Sequence, residues 1–437
     1  MDLRLRQLLL MLTITSSLWV MPACGQIVAG PVKAAIEHHD LGALDAIAEA
    51  APRSEVGELA RGAALSARHQ DRMAEPVLRR ISKRAPAQLR AAAYVELSKL
   101  YIRQSRFRQA FRALSAAAAL TAEPFDLATH QTLAFAKALQ DVEPMRVRRF
   151  EAGTLPIRRD AAGLARVTVG LNNGDHEVVI DTGAGFSTIT RSLAERLGVV
   201  LLPDEIEVAS GSLDSVKARA GVLETLHFGN VVISNVVLIV VPDEALTFAG
   251  GAYTIDAIIG LPVFLALKRL DFARTAAGET LGYGREAAGS GKAPNMLLDG
   301  VEPIVLLATP GAVSPLRLFI DTGGAQTLLY ASALKTAPIL GRDAVKEQLR
   351  LGGAGGQVTD EEALKIPTVE LSVRGKLFRL TSVSVMSKSP SDRDGAIGQD
   401  LLRQGSGFSL DFQNMQFDVA LGGVAPGETP AVKPVAG

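Results

Sequence analysis

Apolar positions along the chain change period once. From Gly30 to about Asp141, Ala and Leu recur at three- and four-residue spacing with few β-branched runs, which predicts helices that each bury one face. The clearest window holds Tyr94, Leu97 and Tyr101, then a polar turn at 104–106, then Phe107, Ala110, Leu114 and Ala117. Large side chains on a first helix would there meet small ones on a second. Past Met145 the period falls to two, and Val, Ile and Thr alternate with polar residues between Gly- and Asn-rich turns. That pattern predicts an all-β region. Within LNNGDHEVVI, the Asn173-Gly174 step predicts a hairpin.

The β region repeats itself. VVIDTGAG at 178–185 returns as LFIDTGGA at 318–325, which separates Asp181 from Asp321 by 140 residues. AIIG, ending at Gly260, returns as GAIG, ending at Gly398, an offset of 138; LDF recurs at Asp271 and Asp411, again 140 apart. Three landmarks at nearly one offset predict two copies of one β unit. The expected boundaries are a helical domain over 25–145, a first β lobe over 150–285, a linker over 286–296, and a second lobe over 297–421. Residues 422–437, rich in Pro, Gly and Ala, are expected to be a disordered tail.

A carboxylate after a run of Val and Ile sits at the rim of a sheet, where the strand ends. A single aspartate there commonly caps a turn. Two of them on related copies can meet, and two carboxylates a few ångströms apart cannot both ionise cheaply. Sharing one proton gives a base and an acid at once: the base can activate water while the acid protonates a carbonyl oxygen. The carboxyl dyad of the aspartic proteases is a well-known instance of this effect.

The paired motifs resemble the aspartic proteases of pepsin and retropepsin type over roughly residues 150–421. The first copy, VVIDTGAGFSTITRSLAERLGV with IDAIIGLPVF, is similar to bacterial retropepsin-like domains. The resemblance implies an all-β bilobal double barrel, here preceded by an α-helical domain. It implies that Asp181 and Asp321 form the catalytic pair, with Thr182 and Thr322 interlocking the two loops and Gly183 and Gly323 shaping the turns. Ile258-Ile259-Gly260 and Ala396-Ile397-Gly398 would support the loops from below. Flap hairpins are expected around Ser210 and Gly211, and around Gly353 and Gly355. Members of pepsin type usually carry a hydroxyl residue after Asp-Thr-Gly; Ala184 and Gly324 stand there instead. Losing a donor to a carboxylate raises its pKa, so a less acidic working pH is expected. The implied substrate is a peptide or protein, with no cofactor and no metal. The helical window in turn resembles a tetratricopeptide (TPR-like) helix pair, with Pro124 beyond it; docking of a protein partner and plain helical packing are both compatible with it.

Composition narrows the setting. The 437 residues carry no formal net charge, which gives no footprint for nucleic acid. Arg4 and Arg6 precede an apolar stretch from Leu8 to Met21, shorter than a membrane span and expected to be an export signal over 1–24. Cys24, the single cysteine, resembles the lipidation site of bacterial lipoproteins, with simple cleavage after Gly25 as the alternative. Either way the expected location is the periplasm or cell envelope, with membrane contact only through an anchor at Cys24. GSGKA at 289–293 lacks the earlier glycine and the Ser/Thr of a phosphate loop. GFSTI has Ile189 where a nucleophile elbow needs Gly. The rival to an endopeptidase is a non-catalytic, protease-like binding or scaffold protein that uses its helices for partners.

Overall fold

Among the described residues, seven helices precede the strands: α1 (Ala29–Glu37), α2 (Leu41–Ala50), α3 (Glu55–Ala67), α4 (Asp71–Arg84), α5 (Ala87–Arg103), α6 (Phe107–Ala118) and α7 (Leu127–Ala138). This is a computed structural model, and it describes residues 29–121, 124–209, 215–285, 292–353, 356–389 and 393–421. Cys24 with the export signal, Ser210, Gly211, Gly355 and the tail from 422 lie outside the described residues.

Local chemistry fixes several helix starts. The side chains of Asp40, Ser54 and Asp126 accept from the N–H groups of Ala43, Gly57 and Thr129, satisfying donors that have no partner within the helix. The polar turn at 104–106 falls between α5 and α6, and Ser105 takes φ 55° there. Leu97, Tyr101, Phe107, Ala110 and Leu114 are all buried, so the apolar positions of this window face inward. Between α4 and α5, the buried Arg103 donates from Nε to Asp71 (Oδ2 3.0 Å) and from a guanidinium nitrogen to Ser66 O (3.0 Å).

β structure begins at Arg146, where the period changes after Met145 and four residues before the boundary expected for the first lobe. Strand Arg146–Arg149 pairs antiparallel with Val231–Val241, so Arg146 and Arg149 are part of a ladder. The predicted hairpin forms, one step early: Leu171 pairs with Gly174, leaving Asn172 and Asn173 as the turn, with Asn172 at φ 48°. Tertiary contacts select it, since the Asn172 amide donates to Leu197 O (2.9 Å) and accepts from Thr225 N (3.1 Å).

The two copies are wired alike. Strand Gly174–Ile180 runs parallel to Ala257–Ile259, with Ile180 opposite Ile259. Strand Leu316–Ile320 runs parallel to Gly395–Ile397, with Ile320 opposite Ile397. In each copy the second of these strands is also flanked by an antiparallel one, Ser187–Thr190 in the first and Leu328–Tyr330 in the second. The copies are then sewn together, because strand Gly407–Asp411 leaves its own unit and pairs antiparallel with Arg269–Thr275. In that ladder Leu270 faces Leu410, its counterpart 140 residues on, with Phe272 and Phe408 stacked two pairs away at 4.2 Å between ring centroids. A ladder in which a residue meets its own repeat equivalent has a local two-fold axis through it. The C-terminal region is therefore rich in β-barrel-type sheet and internally pseudo-symmetric.

Removing one partner of a buried ion pair leaves the other charge uncompensated, at a cost of about 3–5 kcal/mol. Arg103→Met is expected to lower the urea midpoint accordingly. An unchanged midpoint would mean that the Asp71–Arg103 pair contributes nothing.

Candidate active site

Each Asp-Thr-Gly follows the last residue of an apolar strand, so the aspartate side chain emerges at the sheet rim. Its own backbone is held from the neighbouring parallel strand: Asp181 N donates to Ile259 O (3.1 Å) and Asp321 N to Ile397 O (3.0 Å). Below, Leu261 N donates to Ala184 O and Gln399 N to Gly324 O, both at 2.9 Å. Gly260 and Gly398 lie where a neighbouring backbone comes closest. A Cβ there would stand 2.6 Å from Ala184 O in the first copy and 2.4 Å from the carbonyl carbon of Gln326 in the second. Only hydrogen fits.

The two loops clasp each other through their threonines. Thr182 Oγ1 donates to Ile320 O (2.6 Å), and Thr322 Oγ1 donates to Ile180 O (2.9 Å). Each hydroxyl also accepts from the other loop's threonine N–H, at 3.0 Å onto Thr322 and 3.2 Å onto Thr182. Both threonines are fully buried. The result is a closed set of four hydrogen bonds that spans 140 residues of sequence and forces Asp181 and Asp321 together.

Gly183 and Gly323 lie in the two tight loops and also leave space for the carboxyls. Neither has a positive φ. A methyl group added to Gly183 would stand 2.6 Å from Asp321 Oδ1 and 2.8 Å from Asp181 Oδ1; one added to Gly323 would stand 2.7 Å from Asp181 Oδ2. These glycines leave room for the pair of carboxyls, both of which crowd the space at Gly183.

Electrostatics divides the pair. Burial pushes both carboxyls up, and for Asp181 the nearby charge of Asp321 adds to the rise. The backbone opposes this unevenly. Gly183 N donates to Asp181 Oδ1 (2.7 Å), whereas Asp321 Oδ1 receives both Gly323 N (2.9 Å) and Gly324 N (2.8 Å). Ala184 N instead reaches the carbonyl of Asp181 (3.2 Å). Donors to the charged form favour it; Gly323 N also acts on Asp181, and the two aspartates share one proton, with the negative charge leaning toward Asp321. The absent hydroxyl at 324 is thus partly replaced by a main-chain N–H, and at 184 it is not replaced.

Sequence reasoning missed three supporting residues. Ser187 Oγ accepts from Gly260 N (3.1 Å) and Thr327 Oγ1 from Gly398 N (3.2 Å); they occupy equivalent places, 140 apart, and an extended repeat alignment would have paired them. Gln399 donates to Thr322 O (2.7 Å) and has no such signal. Of the flap candidates, Gly353 ends strand Leu349–Gly353 and pairs with Gly356. Ala209 pairs with Ser215, which brackets the first candidate. Among the described residues no group of His, Cys, Asp and Glu is placed to hold a metal ion.

Thr182→Val removes one donated and one accepted buried hydrogen bond, a loss of about 1–3 kcal/mol. Its urea midpoint should fall while Thr182→Ser keeps the parental value; equal behaviour of the two would deny the hydroxyl its role. The dyad carries the opposite liability. A carboxyl raised by folding stabilises the native state at low pH, and that contribution disappears as pH climbs from the ordinary carboxylate range through the raised value. Relative to the parent, Asp181→Asn should therefore gain stability between about pH 4 and neutrality. A difference independent of pH would contradict the shift.

Residues 166–263 match a family model described as aspartyl protease. A search of curated proteins finds no match. The matched segment contains Asp181 and its supporting Ile259-Gly260, so this chain carries an aspartic-protease-like domain, which suggests a hydrolase of that type acting on peptides or proteins.

Proposed function

We propose that the chain is an aspartic endopeptidase whose two β copies form a bilobal double barrel, with Asp181 and Asp321 as its catalytic pair. The observation that carries this reading is the threonine clasp, which joins the two loops and brings the two carboxyls together. In the proposed reaction Asp321 takes a proton from water as the oxygen adds to the peptide carbonyl carbon. Asp181 gives its proton to the carbonyl oxygen, so a neutral gem-diol forms. Asp321, now protonated, delivers its proton to the amide nitrogen as the C–N bond breaks, and Asp181 recovers a proton from the collapsing gem-diol. No covalent intermediate is needed. The protein is proposed to act after export, in the periplasm or envelope, with Cys24 as a lipid anchor. The TPR-like helical region is proposed to dock other proteins.

Asp181→Asn and Asp321→Asn, each shown to be folded, should lose at least about 100-fold in peptide cleavage, the scale of general acid–base catalysis. Full cleavage by either variant, or none by the parent on a broad peptide pool, would leave the scaffold reading instead. The raised carboxyls also set the pH range. The pH–rate profile should peak well above pH 3; a maximum below that value would contradict the assignment of donors around the dyad.

A further inference from the structure

The two sides of the proposed dyad are equivalent in sequence but not in exposure. Phe186 follows the first loop and Gln326, 140 residues on, follows the second. Gln326 and its neighbour Ala325 are exposed. Phe186 is not, because its ring lies 4.7 Å from that of Phe135 and 6.4 Å from that of Phe107, both from the helical region. Val301, on the turn between strands Met296–Asp299 and Glu302–Leu307 of the second copy, is partly buried and packs against both the helical core and the first loop: a Cβ at Gly185 would stand 3.2 Å from Val301 Cγ2. Beside it, Asp299 receives Lys99 from α5 (3.0 Å) and His39 from the end of α1 (2.9 Å). Two aromatic contacts, the Lys99 ion pair and the His39 contact from the helical region thus converge, among the described residues, on Phe186 and the turn after Asp299.

A substrate strand laid over a pseudo-two-fold pair of carboxyls is split by the axis. Residues before the scissile bond face one loop, and residues after it face the other. We infer that the helical region walls off the Phe186 side of the substrate crevice, so that the enzyme accepts a long peptide on the Gln326 side and only about two residues on the other, each residue of extended chain needing ~3.3 Å. This rests on the proposed dyad and adds a chain-length specificity to it: cleavage near one peptide terminus rather than in mid-chain.

The test uses the full chain and a proteome-derived peptide pool, with the position of each cut relative to both peptide ends read by mass spectrometry. Cuts should lie within a couple of residues of one end and be indifferent to the distance from the other. For a resynthesised substrate, three added residues at the restricted end should lower kcat/KM by at least about 100-fold, while the same addition at the far end changes it little. Phe135→Ala, which thins the wall away from the dyad, should reduce that ratio by roughly tenfold. The ratio is insensitive to the fraction of folded protein. Mid-chain cuts without end preference, abolished by Asp321→Asn, would overturn the wall and leave the aspartic reading standing. Absence of any cleavage by the parent would remove both.

Discussion

The structure around the candidate site depends on one reciprocal contact, the clasp between Thr182 and Thr322. Its four hydrogen bonds are buried, each hydroxyl both donates and accepts, and each reaches the carbonyl that closes the opposite strand. A group buried this deeply is expensive to leave unpaired, so the two loops are held together strongly. Two acidic side chains are then forced into a space that only glycine at 183 and 323 leaves open. What would be an unfavourable pair of charges becomes tolerable by sharing a proton.

The clasp is matched by a second junction. The antiparallel ladder in which Leu270 meets Leu410 joins the copies through main-chain bonds. Between these two junctions the copies have little freedom to slide, because a one-residue slip of the ladder would turn every side chain to the other face. Rigidity at the dyad is therefore a property of the whole β region.

The helices are tied to both copies. Arg317 of the second copy donates to the carbonyl of His38. His69 Nδ1 lies 2.7 Å from Phe412 O; as a carbonyl can only accept, that ring nitrogen carries the proton. Burial holds the His69 pKa down, in keeping with a neutral ring. With the contacts onto Phe186 and Asp299, these bonds make the helical region part of the surroundings of the dyad, although in sequence it looks like a separate domain.

Much of this was legible in the sequence, for physical reasons. The change from helical to strand period is set by which face each element must bury, so helices to Ala138 and strands from Arg146 could be read directly. Asp-Thr-Gly recurs at a fixed offset because each copy needs the same rim turn, and that pointed to Asp181 and Asp321 before any coordinates. The turn at Asn172-Asn173 was misplaced by one residue, since the contacts that select it come from Leu197 and Thr225, remote in the chain. Likewise, no local pattern tells that Gly183 makes room for a carboxylate, that the N–H of Gly324 replaces a missing hydroxyl, or that Phe107 and Phe135 cover Phe186. Period, repeat and motif are properties of neighbours along the chain, and the sequence determined them. Proton placement and access to the dyad arise between segments more than a hundred residues apart or from different elements, and only the tertiary structure decided them.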